Sequence, residues 1–224
     1  KLAAAELTQP VAKAVFAAFG NAAVADELPT VALDDEAIAV GAFRQPRVAP
    51  VERLLAFAQD ALGADGVPQV AAAALRYASI LARVRHIGPP REAYHRFYEW
   101  GVRNEGFASP FNARMLSYND GRYFSAFASD APLGSAGSFF DVDDPSAYPG
   151  HWCLDPPFVP RTMKRVDATI NAWRARDEAP TILLIVPASH TPDVAIDETV
   201  TLHAGVHYYE GVDGSIAPLP VDVC

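Results

Sequence analysis

Cysteine is scarce in this sequence. The 224 residues contain two, Cys153 and Cys224, which excludes a framework of several disulfide bonds. Secreted proteins that depend on such frameworks are rich in cysteine, whereas proteins of reducing compartments keep their few thiols free. We therefore expect an intracellular protein, located in the nucleus or the cytoplasm.

Long apolar runs are also missing. No stretch approaches the roughly 20 apolar residues that a helix needs to cross a bilayer, so we expect no membrane partner. The alanine-rich stretch 11–25 is interrupted by Lys13, Gly20 and Asn21, which favours an amphipathic helix over a signal peptide. With 50% hydrophobic and 10% aromatic residues, the chain has enough apolar material for a substantial core.

Basic residues are outnumbered by acidic ones. The chain has 18 Lys and Arg against 27 Asp and Glu, a net charge of −9, which excludes a protein held on nucleic acid mainly by nonspecific attraction. The basic residues are concentrated in residues 71–125 and 161–176, whereas residues 179–224 contain none. These concentrations indicate either solvated helix faces or a basic strip beside a nucleic-acid site.

The six histidines form no pattern typical of a metal site. His203 and His207 are four residues apart, but they lie in a strand-like run, where this spacing does not create a shared helical face. We expect no metal cofactor.

Periodicity divides the chain near residue 88. Helical spacing of apolar residues predicts helices over residues 51–63 and 69–86, so we expect residues 1–88 to form an α-helical accessory region. After the break at Gly88-Pro89-Pro90, the pattern predicts helices over residues 91–100 and 161–176 together with several strands. The strands are predicted at residues 102–108, 123–127, 138–142, 152–154, 181–186 and 201–209.

This succession predicts an open α/β sheet over residues 89–224. Residues 181–186 are continuously apolar, as in a strand covered on both faces of a parallel sheet. Ligands of such sheets bind beyond the carboxyl ends of the strands, and Asp155 directly follows the predicted strand 152–154. Residues 221–224 have the composition of a strand's beginning, so the final strand is expected to be incomplete.

Four consecutive residues form the most specific chemical signal: Asp155, Pro156, Pro157 and Phe158, called the DPPF motif from here on. A similar motif marks the active sites of enzymes that methylate exocyclic amines of nucleic-acid bases. Proline fixes its own φ and extends the residue before it, so the side chain of Asp155 and the carbonyl of Pro156 can present two acceptors in fixed directions. The aromatic ring can stack on a base. The alternative is a plain strand-to-turn junction with the phenylalanine packed beneath it.

Several motifs occur in the order found in one family. Residues 88–187 resemble the catalytic core of the phosphorylated-CTD-interacting factor family, whose members are cap-specific adenosine N6-methyltransferases. The resemblance rests on Gly88-Pro89-Pro90, a helix, residues 105–112 (EGFASPFN), 123–127 (YFSAF) and 134–141 (GSAGSFFD), the DPPF motif, and Ile185-Val186-Pro187. The WW domain of that family has no counterpart that we identify in this sequence.

The resemblance implies a Rossmann-like methyltransferase fold with S-adenosylmethionine as the methyl donor. It implies that the DPPF motif is catalytic and that loops after the strands contact the donor, through Glu105, Phe107, Ala108, Ser109, Pro110, Asn112, Asp130 and Asp141. Small residues such as Gly106 leave room for close approach of the backbone, although tight strand-to-turn packing requires the same residues. Asp130 is expected to bind ribose hydroxyls or else to be a solvated loop acid, and Asp141 to neighbour the donor adenine.

One departure from the family bears on the substrate. The family motif normally reads Asn-Pro-Pro-Phe, whereas this chain has Asp155, the residue that related DNA amino-methyltransferases often use. We expect an adenine N6-methyltransferase that acts on RNA, with the cap-proximal 2′-O-methyladenosine of mRNA as its substrate. The open alternatives are adenine in DNA or internal RNA, a noncatalytic RNA-binding subunit with the same fold, and an unrelated α/β protein with a Pro-Pro turn.

Overall fold

The computed structural model describes residues 30–80, 86–176 and 179–224. The chain divides into two compact units, residues 1–85 and residues 86–224. The helix predicted over residues 11–25 lies outside the described residues, and so do residues 81–85 of the helix predicted over residues 69–86. Within the described ranges, no helix is both long and apolar enough to traverse a lipid bilayer.

The first unit opens with a small antiparallel sheet. Its strands, paired in the order β1-β2-β3, are Val31–Leu33, Ala37–Val40 and Phe43–Pro46. The hairpin between β2 and β3 turns at Gly41, whose φ of +58° glycine adopts without strain. Ile38 and Val40 of β2 are buried. The expectation of a purely α-helical region was wrong here, because strands this short offer too few alternations for a period of two to be recognised.

Two helices follow the sheet and match the predicted pair in position. They are α1 (Ala49–Leu62) and α2 (Gly66–Ile80). Pro50 lies in the first turn of α1, where its fixed φ suits a helix, and Gly63 ends the helix with a φ of +58°. The helices approach closely at Gly66, since a Cβ there would lie 2.6 Å from the backbone of Ala58.

The second unit contains seven strands and two α-helices in its described residues. Its elements are β4 (Ile87–Gly88), α3 (Arg91–Glu99), β5 (Val102–Glu105), β6 (Arg122–Tyr123), β7 (His151–Leu154), α4 (Pro160–Arg174), β8 (Ile182–Leu184), β9 (Tyr208–Gly211) and β10 (Ile216–Pro218). The predicted helices over residues 91–100 and 161–176 are confirmed as α3 and α4. Gly101, with a φ of +94°, follows α3 and ends it.

Four strands form a parallel sheet in the order β6-β5-β7-β8. Helix α4 connects β7 to the neighbouring parallel strand β8, as a crossover requires. The second unit is therefore of the α/β class, and its sheet is compatible with the Rossmann-like fold. Because all four strands run the same way, their carboxyl ends lie along one edge, and Glu105 at the end of β5 is the partner of Cys153 in β7.

A second, antiparallel sheet completes this unit, with the order β10-β9-β4. It brings the C-terminal segment beside residues that precede α3, because Gly88 of β4 pairs with Glu210 of β9. The chain then returns toward the parallel sheet. Val223 forms isolated bridges with Pro187 and Leu202.

Two predicted strands were wrong. Residues 138–142 contain the 3₁₀ helix Phe139–Asp141, started by Ser138, whose hydroxyl accepts a hydrogen bond from the N–H of Phe140. The apolar run there packs into the core and does not pair with a strand. In residues 201–209 strand structure begins only at Tyr208, because the chain turns before it. The strand β8 lies at the edge of the parallel sheet and is half-buried, with Leu183 packed against one core cluster and Ile182 and Leu184 against the other.

Aromatic side chains form the core between the parallel sheet and α4. Trp152 and Trp173 are in contact, with ring centroids 4.8 Å apart, and Phe139 packs edge-on against both. The indole N–H of Trp173 donates a hydrogen bond to the carbonyl of Val142 at 3.0 Å. These contacts hold α4, which begins just after the DPPF motif, against the sheet.

Replacing Trp173 with alanine tests this core. Trp173 is 1% exposed, so the variant W173A should lose about 3–5 kcal/mol of unfolding free energy, measured by chemical denaturation. Trp100 is 63% exposed, and W100A should change that free energy by no more than about 0.5 kcal/mol. Equal losses in the two variants would contradict the described packing.

Candidate active site

The DPPF motif lies at the carboxyl edge of the parallel sheet. Strand β7 ends at Leu154, the motif follows at once, and α4 begins at Pro160. Pro156 is buried, whereas Pro157 and Phe158 are exposed, Phe158 to 36%. The phenylalanine therefore does not pack beneath a turn, as the plain strand-to-turn alternative expects, and its ring is available to a ligand.

The carboxylate of Asp155 has one of its oxygens committed to a hydrogen bond. The hydroxyl of Tyr209 in β9 donates to Oδ1 at 3.1 Å. Loss of solvation raises the pKa of Asp155 to about 7, although the Tyr209 hydrogen bond acts in the opposite direction and the charge of Glu105 adds to the rise. Asp155 thus changes its protonation state near neutral pH.

A second carboxylate, that of Glu105, lies at the end of the neighbouring strand β5. Tyr94 donates its hydroxyl to Oε1 at 2.7 Å, and the backbone N–H of Met115 donates to Oε2 at 3.0 Å. Burial raises the pKa of Glu105 to about 7, against the lowering effect of these hydrogen bonds. Because both oxygens accept hydrogen bonds from the protein itself, Glu105 anchors the loop after β5 to α3. A direct contact with a donor molecule stays a prediction.

The loop after β5 is shaped by close packing. A Cβ on Gly106 would lie 2.3 Å from Cδ2 of Leu154 and 3.2 Å from Cδ2 of Phe139, so only glycine fits at this position. Phe107 and Ala108 are partly exposed, whereas Ser109 and Pro110 are buried. Gly106 is therefore required by tight strand-to-loop packing, and close approach of a donor molecule is not needed to explain it.

The end of this loop is closed by its own polar groups. Asn112 accepts hydrogen bonds at Oδ1 from the backbone N–H of Ser109, at 2.7 Å, and from the Ser109 hydroxyl, at 2.9 Å. The same hydroxyl lies 3.1 Å from Nδ1 of His86. Burial lowers the pKa of His86 to about 4, so the imidazole is neutral at physiological pH. Ser109 and Asn112 therefore fix the loop conformation.

The two further acids assigned by resemblance lie in different surroundings. Asp130 belongs to the 3₁₀ helix Ala128–Leu133 and has a fully buried side chain, so it is not a solvated loop acid. Burial raises the pKa of Tyr123, and the charge of Asp130 adds to the effect. Asp141 ends its own 3₁₀ helix and is exposed. Their contacts with ribose and adenine stay predictions.

The backbone of Gly88 lies beside Asp155. Among the described residues, a Cβ placed on Gly88 would have one atom within 4 Å, Oδ2 of Asp155, at 3.9 Å. Phe158 is exposed and Phe107 and Ala108 are partly exposed, so these three side chains are accessible to a ligand. No group of three or more His, Cys, Asp or Glu side chains in the described part of the chain is arranged to hold a metal ion.

The sequence did not reveal the residues that hold Asp155 and Glu105. Tyr209 is 54 positions from Asp155 and lies in a segment without counterpart in the quoted motifs. Tyr94 lies in the helix predicted over residues 91–100, and nothing local in the sequence indicates its hydrogen bond to Glu105. Gly88 was recognised as part of a helix break, but nothing local in the sequence predicts that its backbone borders Asp155.

These features define a protein of the α/β class with a candidate ligand site at the carboxyl edge of a parallel sheet. A family model described as "Phosphorylated CTD interacting factor 1 WW domain" matches residues 68–207, more than half of the chain. The chain belongs to this family. The matched region includes the whole parallel sheet, its crossover helix α4 and the DPPF motif. A search of curated proteins finds no match.

The buried carboxyl of Glu105 predicts a specific pH dependence of stability. Its pKa is about 7 in the folded protein against an ordinary value of 4.5, so its favourable contribution is complete below about pH 4.5 and is lost as the pH rises through about 7. The variant E105Q stays neutral throughout. Between pH 4.5 and pH 8 its unfolding free energy should therefore gain on the wild type by roughly 3 kcal/mol, measured by urea denaturation.

The exposed Glu198 provides the matched control. The difference between E198Q and the wild type should stay constant over the same pH range. A difference between E105Q and the wild type that does not change with pH would show that the Glu105 carboxyl titrates normally, and would contradict the assigned environment.

Proposed function

We propose that this chain is an S-adenosylmethionine-dependent adenosine N6-methyltransferase that acts on RNA, with the cap-proximal 2′-O-methyladenosine of mRNA as its substrate. The observation that carries the proposal is the DPPF motif at the carboxyl end of β7, in the middle of a parallel sheet, with its acid and its aromatic ring both accessible. Membership of the phosphorylated CTD interacting factor 1 family supports it.

In the proposed reaction, the two acceptors of the DPPF motif make the adenine amine more nucleophilic. The exocyclic amine of adenine is a poor nucleophile because its lone pair is delocalised into the ring. In the proposed complex, Oδ2 of Asp155 and the carbonyl oxygen of Pro156 each accept one N–H of that amine. The nitrogen is thereby drawn toward tetrahedral geometry, with its lone pair directed at the methyl group.

The exposed ring of Phe158 supplies the third contact with the base. Stacking of a base on an aromatic side chain contributes roughly 1–3 kcal/mol and accepts any base. Specificity for an amine therefore comes from Asp155 and Pro156, and Phe158 contributes affinity and orientation.

In the proposed complex, the methyl donor binds beside Gly88, Asp155 and the loop after β5. When bound, it supplies an electrophilic methyl group on a sulfonium centre. We assign its binding to Phe107 and Ala108, which are partly exposed, with Ser109, Pro110 and Asn112 holding the loop in shape and Asp141 as the contact for adenine. No metal takes part in this scheme.

The charge state of Asp155 matters for its role. An ionised carboxylate accepts hydrogen bonds from an amine at either oxygen, whereas a protonated one presents a competing O–H. The amine loses its proton after methyl transfer has made it cationic, so no strong base is needed. With a pKa of about 7, Asp155 is expected to become active as the pH rises through neutrality.

A general energetic argument supports a nucleotide at an RNA end, and the charges on α4 suit a nucleic-acid backbone. A nucleotide next to a cap is already at a terminus, so its base enters a pocket without the unstacking that a base inside a helix requires. Arg161, Lys164 and Arg165, which follow the motif in α4, are exposed and are available to a phosphate backbone.

Removal of the Asp155 carboxylate tests the proposed function. The variant D155A should lower labelled-methyl transfer to capped RNA bearing 2′-O-methyladenosine by about 100-fold or more, since it removes a preorganised hydrogen-bond acceptor. The exposed Asp143 provides the control, and D143N should leave transfer unchanged. Undiminished transfer by D155A would exclude this assignment.

The conservative variant D155N separates charge from hydrogen bonding. It should retain part of the activity, because the amide keeps an oxygen acceptor, and its rate should not rise between pH 6 and pH 8 as that of the wild type does. Parallel assays with uncapped RNA and with DNA decide the substrate class. A wild-type enzyme equally active on all three would contradict cap-end preference.

A further inference from the structure

We propose that Tyr209 is a positioning residue of this site, which orients the carboxylate of Asp155 so that Oδ2 is presented to the substrate amine. The inference rests on the proposed function and extends it to a residue outside the motifs that carry the family resemblance. Its basis is the hydrogen bond from the Tyr209 hydroxyl to Oδ1, 3.1 Å long.

The two oxygens of a carboxylate are chemically equivalent until the surroundings distinguish them. Here Tyr209 is the one hydrogen-bond partner of the Asp155 carboxylate among the described residues. Donation to Oδ1 fixes the rotation of the group about its last bond. The other oxygen, Oδ2, lies 3.9 Å from the position that a Cβ on Gly88 would take. Oδ2 accepts no hydrogen bond from the described residues, so it is left as the acceptor that the reaction needs.

The position of the tyrosine is itself fixed. Its ring is 7% exposed and packs in a cluster with Tyr94, Cys153 and Ile185. The neighbouring Glu210 accepts hydrogen bonds from the backbone N–H of Arg91, at 3.0 Å, and from its Nε, at 2.9 Å. The core therefore fixes the ring of Tyr209, and the start of α3 fixes the strand β9.

A further charged contact strengthens the hold on β9. A guanidinium nitrogen of the buried Arg114 lies 3.5 Å from Oε1 of Glu210 and donates to the carbonyl of Gly211 at 3.4 Å. Strand β9 also pairs with β4 at Gly88. The same strand therefore carries the tyrosine that donates to Oδ1 of Asp155 and lies beside the glycine near Oδ2. The C-terminal sheet is in this way part of the site.

The groups that face Asp155 set its protonation. They are Glu105 at the end of β5, Tyr94 of α3, Cys153 of β7 and Tyr209 of β9. Burial raises the pKa of Tyr94, Cys153 and Tyr209, so these three stay neutral in the working range and Tyr209 keeps the proton it donates. Its hydrogen bond favours the ionised carboxylate and lowers the pKa of Asp155.

The test is the variant Y209F, which removes the hydroxyl and keeps the ring. Without the donor, the rise of methyl transfer with pH should move upward by about one pH unit, and the rate at pH 7 should fall about threefold to tenfold. In the D155N background the same change should leave the pH dependence flat. The exposed neighbour Tyr208, 41% exposed, is the control, and Y208F should leave the profile where it is.

A second readout does not require activity. Carbon-13 NMR of labelled aspartate carboxyls, with D155N to assign the signal, follows the titration of Asp155 directly. An upward shift in Y209F but not in Y208F supports the inference, whereas equal titration in Y209F and the wild type overturns it. If the wild type transfers no methyl group to RNA or DNA, the proposed function fails, and the NMR titration still decides whether Tyr209 controls the carboxylate.

Discussion

The hydrogen bond between Tyr209 and Asp155 connects the two sheets of the second unit at the place where a ligand would bind. The parallel sheet supplies the acid at the end of β7, and the antiparallel sheet supplies the donor from β9. Partial burial makes the carboxylate costly to ionise, so its charge depends on the groups around it. The charge of the buried Glu105 on the next strand raises the pKa of Asp155 further. Glu105 is itself held in place by hydrogen bonds from Tyr94 and Met115.

The parts of the fold that the sequence predicted have strong local signals. Helix α4 has a long apolar face and Pro160 in its first turn, β7 is a short apolar run ended by two prolines, and both were predicted close to their observed bounds. The 3₁₀ helix Phe139–Asp141 was predicted as a strand because aromatic residues are common both in strands and in buried cores. Tertiary packing, here of Phe139 against Trp173, decides which of the two forms. The location of Asp155 at a strand end followed from the alternation of elements. The approach of Tyr209 did not, because it depends on a long-range contact.

The family explains the order of the motifs, and the structure of this chain explains why an aspartate is compatible with the first position of the DPPF motif. Because Tyr209 donates to Oδ1, an aspartate still offers Oδ2 as a second acceptor. An asparagine has only one oxygen, so it would have to give its amide N–H groups to the tyrosine to present an acceptor there. Residue 155 and Tyr209 are in contact, so the C-terminal segment contributes to the surroundings of the DPPF motif.

The central claim is spatial: a methyl donor binds where Asp155, Pro156 and Phe158 meet the loop after β5. A crystal structure with S-adenosylhomocysteine tests it most directly. We expect the sulfur beside Oδ2 of Asp155, near Gly88, with the homocysteine portion along Phe107 and Ala108. A sulfur remote from the DPPF motif, or no binding of this molecule by calorimetry before crystallisation, would contradict it.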